Sequence, residues 1–470
     1  MKSVTSQIDF SAPRLAILGG GPGGYEAAMV ANSLGAKVTI IERQGLGGSA
    51  VLTDVVPSKT LIATADAMRR VASAHDLGVR FDEHSKAAYA DLRTVNDRLL
   101  KLAESQSADI HHGLERAGVR VILGDGKLAG PNTIVVTTDS GTQTVEADAI
   151  LLATGATPRE LPTAKPDGER IFNWAQVYNL TEIPEHLIVV GSGVTGAEFA
   201  SAYRMLGTRV TLVSSRDRVL PGEDADAAAV LEDVFARSGM TVLSKSRAAG
   251  VERTDDGVLV TLADGRVVEG SHCLLAVGGV PNTAGIGLEE AGVALSESGH
   301  IKVDGVSRTT APNIYAAGDC TGVLALASVA AMQGRIAVAH LLGDYVKPLK
   351  LTQVASNIFT SPEIATVGVT EEDVASGRYQ GDIIKLSLNT NARAKMMNVS
   401  DGFVKIIARR GSGTVIGGVV VAPRASELIF PIALAVTQKL HVDDVANTFT
   451  VYPSLTGSIS EAARRLHVHL

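Results

Sequence analysis

Residues 16–42 of the chain read AILGGGPGGYEAAMVANSLGAKVTIIE, and residues 188–214 read IVVGSGVTGAEFASAYRMLGTRVTLVS. The two stretches align without a gap at an offset of 172 residues. Each contains an apolar segment typical of a buried strand, a GxGxxG turn, a helical segment that ends at Leu-Gly, and a second apolar segment. This order predicts a βαβ unit that binds a dinucleotide, present twice. The alternative is two glycine-rich turns of an ordinary α/β sheet.

The glycines of the two turns have three predicted roles. The first permits a tight turn, the second lets a pyrophosphate approach the main chain, and the third lets the helix pack closely on its strand. The helix N-terminus then offers unpaired N–H groups and a partial positive charge to the phosphates. The glycines are Gly19, Gly21 and Gly24 in the first copy and Gly191, Gly193 and Gly196 in the second.

The two copies differ at the end of the second strand. Glu42 lies 23 residues after Gly19 and supplies a carboxylate that can accept hydrogen bonds from a ribose. The matching residue of the second copy is Ser214, so no carboxylate repels a 2′-phosphate there. We therefore expect this site to accept NADPH, with the preference between NADPH and NADH left open; the alternative is a solvated basic loop. The candidate phosphate donors are Ser215, Arg216 and Arg218.

The composition is typical of a globular protein with sizeable apolar cores. Of the 470 residues, 45% are hydrophobic and 20% are charged. The formal net charge of −7 gives no basic surface, so nucleic acid is not an expected partner. Residues 1–14 lack the apolar core of a signal peptide, and the apolar run after Thr414 is interrupted by Arg424 and Glu427. No integral membrane segment and a cytoplasmic location are expected.

The cysteines and histidines give no sign of a metal or local redox motif. Only Cys273 and Cys320 occur, and they are too far apart in sequence to form such a motif. Both are expected to be packing residues. The 11 histidines lack ligand spacing, so no metal site is predicted.

Several further stretches, in order along the chain, carry a resemblance to a known family. Together they resemble the flavoprotein disulfide reductases, the family of dihydrolipoamide dehydrogenase, glutathione reductase and mercuric reductase. The resemblance covers nearly the whole chain and implies FAD in the first nucleotide site. The stretches are GGGPGGYEAA (19–28), LLATGATP (151–158), VGGVPNT (277–283), TTAPNIYAAGDC (309–320), FTSPEIATVG (359–368) and GFVKI (402–406).

The chain departs from this family where the redox disulfide would be. The family pattern is GGTCxNxGCxPSK, whereas residues 47–59 read GGSAVLTDVVPSK. Ala50 and Val55 occupy the two cysteine positions. Disulfide exchange requires a thiolate, which neither side chain can supply. We therefore expect that the chain is not a disulfide reductase.

The C-terminal segment also departs from the family pattern, at the residues that handle protons. The family ends in HxHPTxSE, whose second histidine and glutamate handle protons, whereas residues 450–458 read TVYPSLTGS. Tyr452 replaces that histidine and Gly457 replaces the glutamate. A tyrosine, with an ordinary pKa near 10, is a poor base at neutral pH. Tyr452 is nevertheless a catalytic candidate, because its hydroxyl can hydrogen-bond a substrate oxygen; the alternative is that it only fills the histidine's volume.

By contrast, the resemblance implies that the residues needed to accept electrons from NAD(P)H are present. Lys59 holds the family's lysine position beside the flavin, and Glu198 holds that of its glutamate partner near the nicotinamide. A cation at the reactive edge favours an electron-rich flavin. Residues 326–337 are predicted to form a helix whose N-terminus faces the flavin pyrimidine. The alternative for Lys59 and Glu198 is a structural ion pair or two solvated charges.

The resemblance and the two turns together give the full set of candidate cofactor-binding residues. The catalytic candidates are Lys59, Glu198 and Tyr452. The candidates for FAD are Gly19, Gly21, Pro22, Gly23, Gly24, Glu42, Arg43, Gly48, Ser49, Lys59, Gly126, Ala153, Thr154, Gly155, Gly318, Asp319, Leu326 and Ala327, with Asp319 on the ribityl chain. Those for NADPH or NADH are Gly191, Gly193, Val194, Gly196, Glu198, Ser214, Ser215, Arg216, Val277 and Gly278.

The expected fold is α/β, with two Rossmann-like dinucleotide-binding domains, one for FAD and one for NAD(P), and a C-terminal α+β dimerisation domain. The resemblance also implies a homodimer. A helical segment is predicted at 92–118. The predicted division is a first FAD-binding part at 1–156, the NAD(P)-binding domain at 157–273, a second FAD-binding part at 274–347 and the interface domain at 348–470.

The leading functional hypothesis is an FAD-dependent NAD(P)H dehydrogenase. Without a tethered disulfide, electrons taken from NADPH or NADH must leave with a diffusible acceptor, most plausibly a quinone. The pattern is similar to that of actinobacterial NAD(P)H:quinone reductases. Two alternatives stay open: a soluble pyridine-nucleotide transhydrogenase, and a non-catalytic flavoprotein that senses NAD(P)H.

Overall fold

The computed structural model describes residues 12–80 and 88–467. Residues 1–11, part of the segment considered above as a possible signal peptide, lie outside this range. The described chain groups into two compact units. The first contains residues 12–56, 100–157 and 279–349, and the second contains the remaining residues. The predicted division into four segments stays a prediction.

Helices of the described chain include two long ones, α3 and α4, and α4 coincides with the helix predicted at 92–118. In chain order they are α1 Pro22–Ser33, α2 Gly48–Leu52, α3 Val55–Ala72, α4 Leu92–Arg116, α5 Val194–Met205, α6 Ala225–Arg237, α7 Ala327–Leu341, α8 Glu371–Ala375, α9 Ala392–Met396, α10 Ala425–Leu428, α11 Phe430–Gln438, α12 Val442–Ala446 and α13 Gly457–Arg464.

Strands of the described chain form separate parallel and antiparallel sheets. In chain order they are β1 Arg14–Leu18, β2 Lys37–Glu42, β3 Arg120–Leu123, β4 Asp125–Leu128, β5 Thr133–Thr138, β6 Gly141–Glu146, β7 Ala149–Leu152, β8 Ala156–Pro158, β9 Ile171–Asn173, β10 His186–Val190, β11 Arg209–Val213, β12 Thr241–Leu243, β13 Ala248–Arg253, β14 Val258–Leu262, β15 Val267–Gly270, β16 His272–Leu275, β17 Gly279–Pro281, β18 Ile314–Ala316, β19 Ala355–Ile358, β20 Glu363–Gly368, β21 Gly381–Ser387, β22 Phe403–Arg409 and β23 Val415–Ala422.

The first unit is built on a five-stranded sheet in the order β18-β7-β1-β2-β3. All pairs are parallel, so β1 and β2 need a crossover connection, which α1 provides. Pro22 opens α1, a position where its missing N–H costs no helical hydrogen bond. α7 packs so closely on α1 that a Cβ at Gly334 would lie 2.2 Å from the Gly23 oxygen. β4, β5 and β6 form an antiparallel sheet beside this core.

The second unit contains a sheet of the same kind, in the order β12-β11-β10-β16-β9. Its pairs are also parallel, and α5 connects β10 to β11. All five residues of β10 and all but one of β11 are buried, as expected of strands covered on both faces. β13, β14 and β15 form an antiparallel meander.

The C-terminal part of the second unit is a five-stranded antiparallel sheet in the order β19-β20-β23-β22-β21. Residues of α10, α11 and α13 share an apolar core with the buried side chains of this sheet. β23 is buried along its whole length, because it lies in the middle of the sheet. The two Rossmann-like sheets and the C-terminal α+β part confirm the predicted fold class.

Candidate active site

The first glycine turn lies at the carboxyl end of β1, in the first unit. Gly19 has φ +107°, a conformation that favours glycine. A Cβ at Gly24 would lie 2.0 Å from the Gly19 oxygen, so only glycine allows the helix to pack this closely. A Cβ at Gly21, by contrast, would meet no atom within 4 Å. The open space at Gly21 lies at the N-terminus of α1, where a pyrophosphate group fits.

Glu42 closes this turn from the end of β2. One of its carboxylate oxygens accepts the Gly20 N–H at 2.6 Å, and the other accepts the Gln44 N–H at 2.8 Å. Its exposed fraction is only 8%. Main-chain donors therefore hold the carboxylate in one orientation at the strand end, which suits the predicted contact with a ribose.

Asp319 follows β18 at the same edge of the sheet. Its carboxylate accepts no hydrogen bond from the described residues, and burial raises its pKa, an effect that His300 partly offsets. Gln333 accepts the N–H of the preceding Gly318 at 2.9 Å and fixes the local backbone. A half-buried acceptor without a protein donor fits a hydroxyl-bearing ligand such as the ribityl chain of FAD.

Several other predicted residues of the first unit lie next to the first turn. A Cβ at Gly48 would lie 2.9 Å from the Gly21 Cα, so the start of α2, with Ser49, adjoins the turn. A Cβ at Gly19 would lie 2.2 Å from the Ala153 oxygen, which places the segment after β7 on the other side. Gly126 instead packs against the side chains of the core, and Arg43 is exposed. Also near strand or helix ends are Pro22, Gly23, Thr154, Gly155, Leu326 and Ala327.

The second glycine turn repeats the first in the second unit. Gly191 has φ +113°, and a Cβ at Gly196 would lie 1.8 Å from the Gly191 oxygen. A Cβ at Gly193 would again meet no atom within 4 Å, and Val194, the first residue of α5, is exposed. The segment after β16, which contains Val277 and Gly278, adjoins the turn because a Cβ at Gly191 would lie 2.2 Å from the Ala276 oxygen.

The end of β11 differs from the end of β2. The Ser214 hydroxyl is fully buried and lies 2.7 Å from the Ser192 hydroxyl, and it accepts the Arg216 N–H at 3.1 Å. Ser215 and Arg216 are exposed, so they form the surface at this strand end. Arg218 donates through one nitrogen to two main-chain oxygens of its own loop, at 3.2 Å and 3.0 Å.

Lys59 and Glu198, the two charged candidates, form an ion pair in the second unit. Lys59 Nζ in α3 lies 2.6 Å from Glu198 Oε2 in α5. The Glu198 side chain is 4% exposed and the Lys59 side chain is 26% exposed. The N–H of Phe359 donates to Glu198 Oε1 at 2.8 Å, and the Phe359 ring centroid lies 5.1 Å from Lys59 Nζ. Sequence reasoning missed Phe359, although it begins the stretch FTSPEIATVG, which had signalled only a dimerisation domain.

Two family models together match most of this chain. Residues 13–334 match the family model described as pyridine nucleotide-disulphide oxidoreductase, and residues 354–463 match the model of its dimerisation domain. The chain belongs to the pyridine nucleotide-disulphide oxidoreductase family. It is therefore a flavoprotein oxidoreductase that uses FAD and a pyridine nucleotide. The open glycine turns, the fixed Glu42 carboxylate and the unpaired Asp319 carboxylate fit these two cofactors.

Similar members of this family differ in their named activities. An NAD(P)H dehydrogenase (quinone) of Mycobacterium tuberculosis is 54% identical over 466 residues, which cover 97% of this chain and 94% of the relative. A dihydrolipoyl dehydrogenase of Geobacillus stearothermophilus is 31% identical and covers 95% of this chain and 94% of the relative. The crystal structure of LpdA from Mycobacterium tuberculosis superimposes with a TM-score of 0.93 at 53% identity, covering 97% of this chain and 100% of that one.

Within the pyridine nucleotide-disulphide oxidoreductase family, this chain has no thiol suited to disulfide exchange. Ala50 in α2 and Val55 at the start of α3 occupy the cysteine positions. Cys273 and Cys320, its only cysteines, are both fully buried. Burial raises the pKa of the Cys273 thiol, and burial raises that of the Cys320 thiol to about 11. Both side chains lie in apolar cores, as predicted, and neither forms a thiolate at neutral pH.

Tyr452, the third catalytic candidate of this family member, is strongly exposed. Its side chain is 85% exposed, and within the described chain it makes no hydrogen bond to Lys59 or Glu198. Its neighbours Phe449 and Val451 are also strongly exposed. These side chains form an apolar surface in the region that matches the dimerisation domain. The catalytic role of Tyr452 stays a prediction.

Residues 12–80 and 88–467 contain neither a cluster of potential metal ligands nor a helix that could span a membrane. No group of three or more histidine, cysteine, aspartate or glutamate side chains in these residues is arranged to hold a metal ion. Among the helices of the same residues, none combines the length and the apolar character that a bilayer crossing requires.

Proposed function

We propose that this chain is an FAD-dependent NAD(P)H dehydrogenase that passes electrons to a diffusible quinone and not to a disulfide. The observation that carries the proposal is the state of the thiols. Both cysteines of the chain are fully buried in apolar cores, and Ala50 and Val55 stand where a redox pair would be. Electrons therefore have no sulfur relay and must leave with a molecule that visits the site.

The name of a close relative supports the choice of acceptor. The Mycobacterium tuberculosis protein that is 54% identical over almost the whole chain is named NAD(P)H dehydrogenase (quinone). A fold alone would not identify the acceptor, because related members of this family act on different substrates. Because this chain lacks the redox thiols, the dihydrolipoyl dehydrogenase reaction is excluded. The name of the relative then favours a quinone as the acceptor.

The residues of the first unit hold the flavin cofactor in this proposal. FAD, when bound, accepts a hydride from reduced nicotinamide and returns two electrons to the acceptor. The N-terminus of α1, beside Gly21, binds the pyrophosphate. Glu42 accepts hydrogen bonds from the adenosine ribose, and Asp319 accepts one from a ribityl hydroxyl.

The residues of the second unit bind and orient the electron donor. The N-terminus of α5, beside Gly193, binds the pyrophosphate of NAD(P)H. Lys59 supplies a positive charge where negative charge develops during hydride transfer, and Glu198 fixes the orientation of its ammonium group. The exposed Ser215 and Arg216 donate to a 2′-phosphate, so NADPH is accepted along with NADH.

We also propose a cytoplasmic homodimer. Residues 354–463 match a dimerisation domain. The same region exposes several large apolar side chains, which a second copy of the chain would cover. The cytoplasm supplies NAD(P)H. The exposed side chains include Phe430, Leu434, Phe449, Val451 and Tyr452.

Anaerobic stopped-flow spectroscopy of the FAD-loaded protein tests the proposed reaction. Mixing with NADPH or NADH should bleach the flavin absorption, and a second mixing with menadione should restore it rapidly. Oxidised lipoamide, used at the same concentration, should restore it no faster than buffer. Rapid reoxidation by an NAD⁺ analogue at a rate comparable to menadione would favour a transhydrogenase instead. Bleaching without reoxidation by any acceptor would favour a sensor.

A further inference from the structure

Phe359 joins the C-terminal sheet to the Lys59–Glu198 ion pair. It follows the last residue of β19 and contacts both members of the pair. Its N–H donates to Glu198 Oε1 at 2.8 Å, and its ring centroid lies 5.1 Å from Lys59 Nζ. One residue thus supplies two chemically different contacts, one from the main chain and one from the side chain.

The two contacts leave the ion pair little freedom. Glu198 accepts Lys59 with one oxygen, at 2.6 Å, and Phe359 with the other. A donor on each oxygen therefore restricts the rotation of the carboxylate. Lys59 is partly exposed and carries a long, flexible side chain, so the ion pair alone restricts it weakly. An aromatic ring attracts an ammonium group through its negative face and adds the missing restriction.

A further contact connects the residues next to Phe359 to α5. The N–H of Ser361 donates to the Ser201 hydroxyl at 3.2 Å, almost one helical turn beyond Glu198. Ile358, the residue before Phe359, belongs to the same buried apolar cluster as Ala197 and Phe199 of α5. Two hydrogen bonds from the segment after β19, and the buried apolar cluster that Ile358 shares with α5, thus restrict the position of Phe359 relative to α5.

We propose that Phe359 is a positioning residue for hydride transfer from NAD(P)H: its N–H orients Glu198, and its ring holds the Lys59 ammonium group. The inference rests on the proposed function, in which Lys59 and Glu198 act at the nicotinamide. It adds a residue from the C-terminal part of the second unit to that machinery. Phe359 does not touch the reacting atoms in this proposal and acts only through the pair.

Single substitutions of Phe359 distinguish the contribution of its ring from that of its main-chain N–H. Phe359→Leu keeps the N–H donor and most of the apolar volume but removes the ring. Phe359→Tyr keeps the N–H donor and the aromatic ring. With FAD-loaded protein and no acceptor, Phe359→Leu should lower the limiting rate of flavin reduction by NADH about tenfold. The dissociation constant of NADH should change less than twofold, because the nucleotide contacts remain. Phe359→Tyr should retain the wild-type rate.

A second phenylalanine provides a matched control. The Phe403 ring centroid lies 5.5 Å from Lys405 Nζ and 5.7 Å from Lys385 Nζ, in the same unit. Phe403→Leu removes the same kind of contact without touching Lys59 or Glu198, so the reduction rate should stay at the wild-type value. Retained FAD and the thermal unfolding midpoint are measured for every variant, and Phe359→Met replaces Phe359→Leu if the latter does not retain FAD.

A double-mutant cycle distinguishes positioning from general packing. If Phe359 acts through Lys59, adding Phe359→Leu to Lys59→Met should slow flavin reduction by less than a further twofold. Additive losses, a slow Phe359→Tyr variant, or an effect confined to the dissociation constant of NADH would overturn the proposal. None of these measurements uses a quinone. Failure of menadione to reoxidise the wild-type flavin would therefore refute the proposed function without affecting the test of Phe359, which measures flavin reduction alone.

Discussion

The hydroxyl oxygens of Ser192 and Ser214 lie 2.7 Å apart and share a hydrogen bond. They occupy the positions that Gly20 and Glu42 hold in the first nucleotide-binding copy, where the Gly20 N–H donates to the Glu42 carboxylate at 2.6 Å. A Cβ at Gly20 would lie 3.1 Å from that carboxylate. The serine pair therefore fills the space that a glycine and a glutamate share in the first copy, and it leaves the strand end without negative charge.

Exchanging this pair should change the choice of nucleotide. In the double variant Ser192→Gly with Ser214→Glu, a carboxylate gains the space and the main-chain donor that Glu42 has. Like-charge repulsion should raise the dissociation constant of NADPH about tenfold or more, equivalent to about 1.4 kcal/mol, and leave NADH within twofold. Titration of the FAD-loaded protein with each nucleotide measures both constants.

The single variant Ser192→Gly serves as the control for the double variant. Ser192→Gly adds no charge and should affect NADPH and NADH alike. An equal loss of affinity for both nucleotides in the double variant would contradict the assignment of this strand end to the 2′-position of the ribose.

Lys405 should be the most important single charge for the stability of the second unit. It is 1% exposed, and its ammonium group binds Asp224 and Asp226, each at 2.8 Å, and also Glu371. Burial alone would lower its pKa, but the hydrogen bonds that the ammonium group donates to these carboxylates raise it. Lys405→Met leaves the buried Asp224 carboxylate, and the more exposed carboxylates of Asp226 and Glu371, without their shared cation and should cost about 3 kcal/mol in urea unfolding. Lys385→Met, which removes a 49%-exposed partner of Asp226, should cost less than about 1 kcal/mol.

The effect of Lys405→Met should also depend on pH. Burial alone would raise the pKa of Asp226, but hydrogen bonds from Lys385 and Lys405 hold it below its ordinary value. A carboxylate with a lowered pKa stabilises the fold above the pKa of the unfolded chain and loses this effect as the pH falls through the folded value. The difference between wild type and Lys405→Met should therefore shrink below about pH 4. A constant difference down to pH 3 would contradict the role of this cluster.

Reduced protein should lack the long-wavelength absorption of a thiolate-to-flavin charge-transfer complex. Val55 has no lone pair to donate, and burial raises the pKa of both cysteine thiols. Anaerobic titration with NADH, followed by absorption spectroscopy, should show loss of the oxidised flavin bands without a new band at longer wavelength. Appearance of that band would show a thiolate beside the flavin and would refute the alignment of residues 47–59 with the family pattern.

Association of the protein should depend on the exposed apolar surface near the C-terminus. Phe449 is fully exposed in the single chain, beside Val451 and Tyr452. Phe449→Asp places a charge on this surface and should shift the sedimentation coefficient from that of a dimer to that of a monomer. Tyr89→Asp, at an exposed tyrosine outside the dimerisation match, is the control and should sediment as wild type. A monomeric wild type would contradict the homodimer.

Much of the site could be predicted because local sequence sets local geometry. The two turns needed only the glycine spacing, since a positive φ at Gly19 and Gly191 and the close packing at Gly24 and Gly196 exclude other residues. The contact of Phe359 with Lys59 could not be predicted in this way. A phenylalanine after a strand has the same local pattern whether its ring packs in a core or beside an ammonium group.

By itself, the sequence determined the two βαβ units, the loss of the redox thiols and the family resemblance, because these depend on which residues stand at fixed local spacings. Only the tertiary structure decided that the Ser214 hydroxyl is buried against Ser192, that Glu198 has donors on both oxygens, and that Tyr452 is exposed. These features depend on contacts between residues far apart along the chain. Their distances are set by the packing of whole helices and sheets, which no local pattern contains.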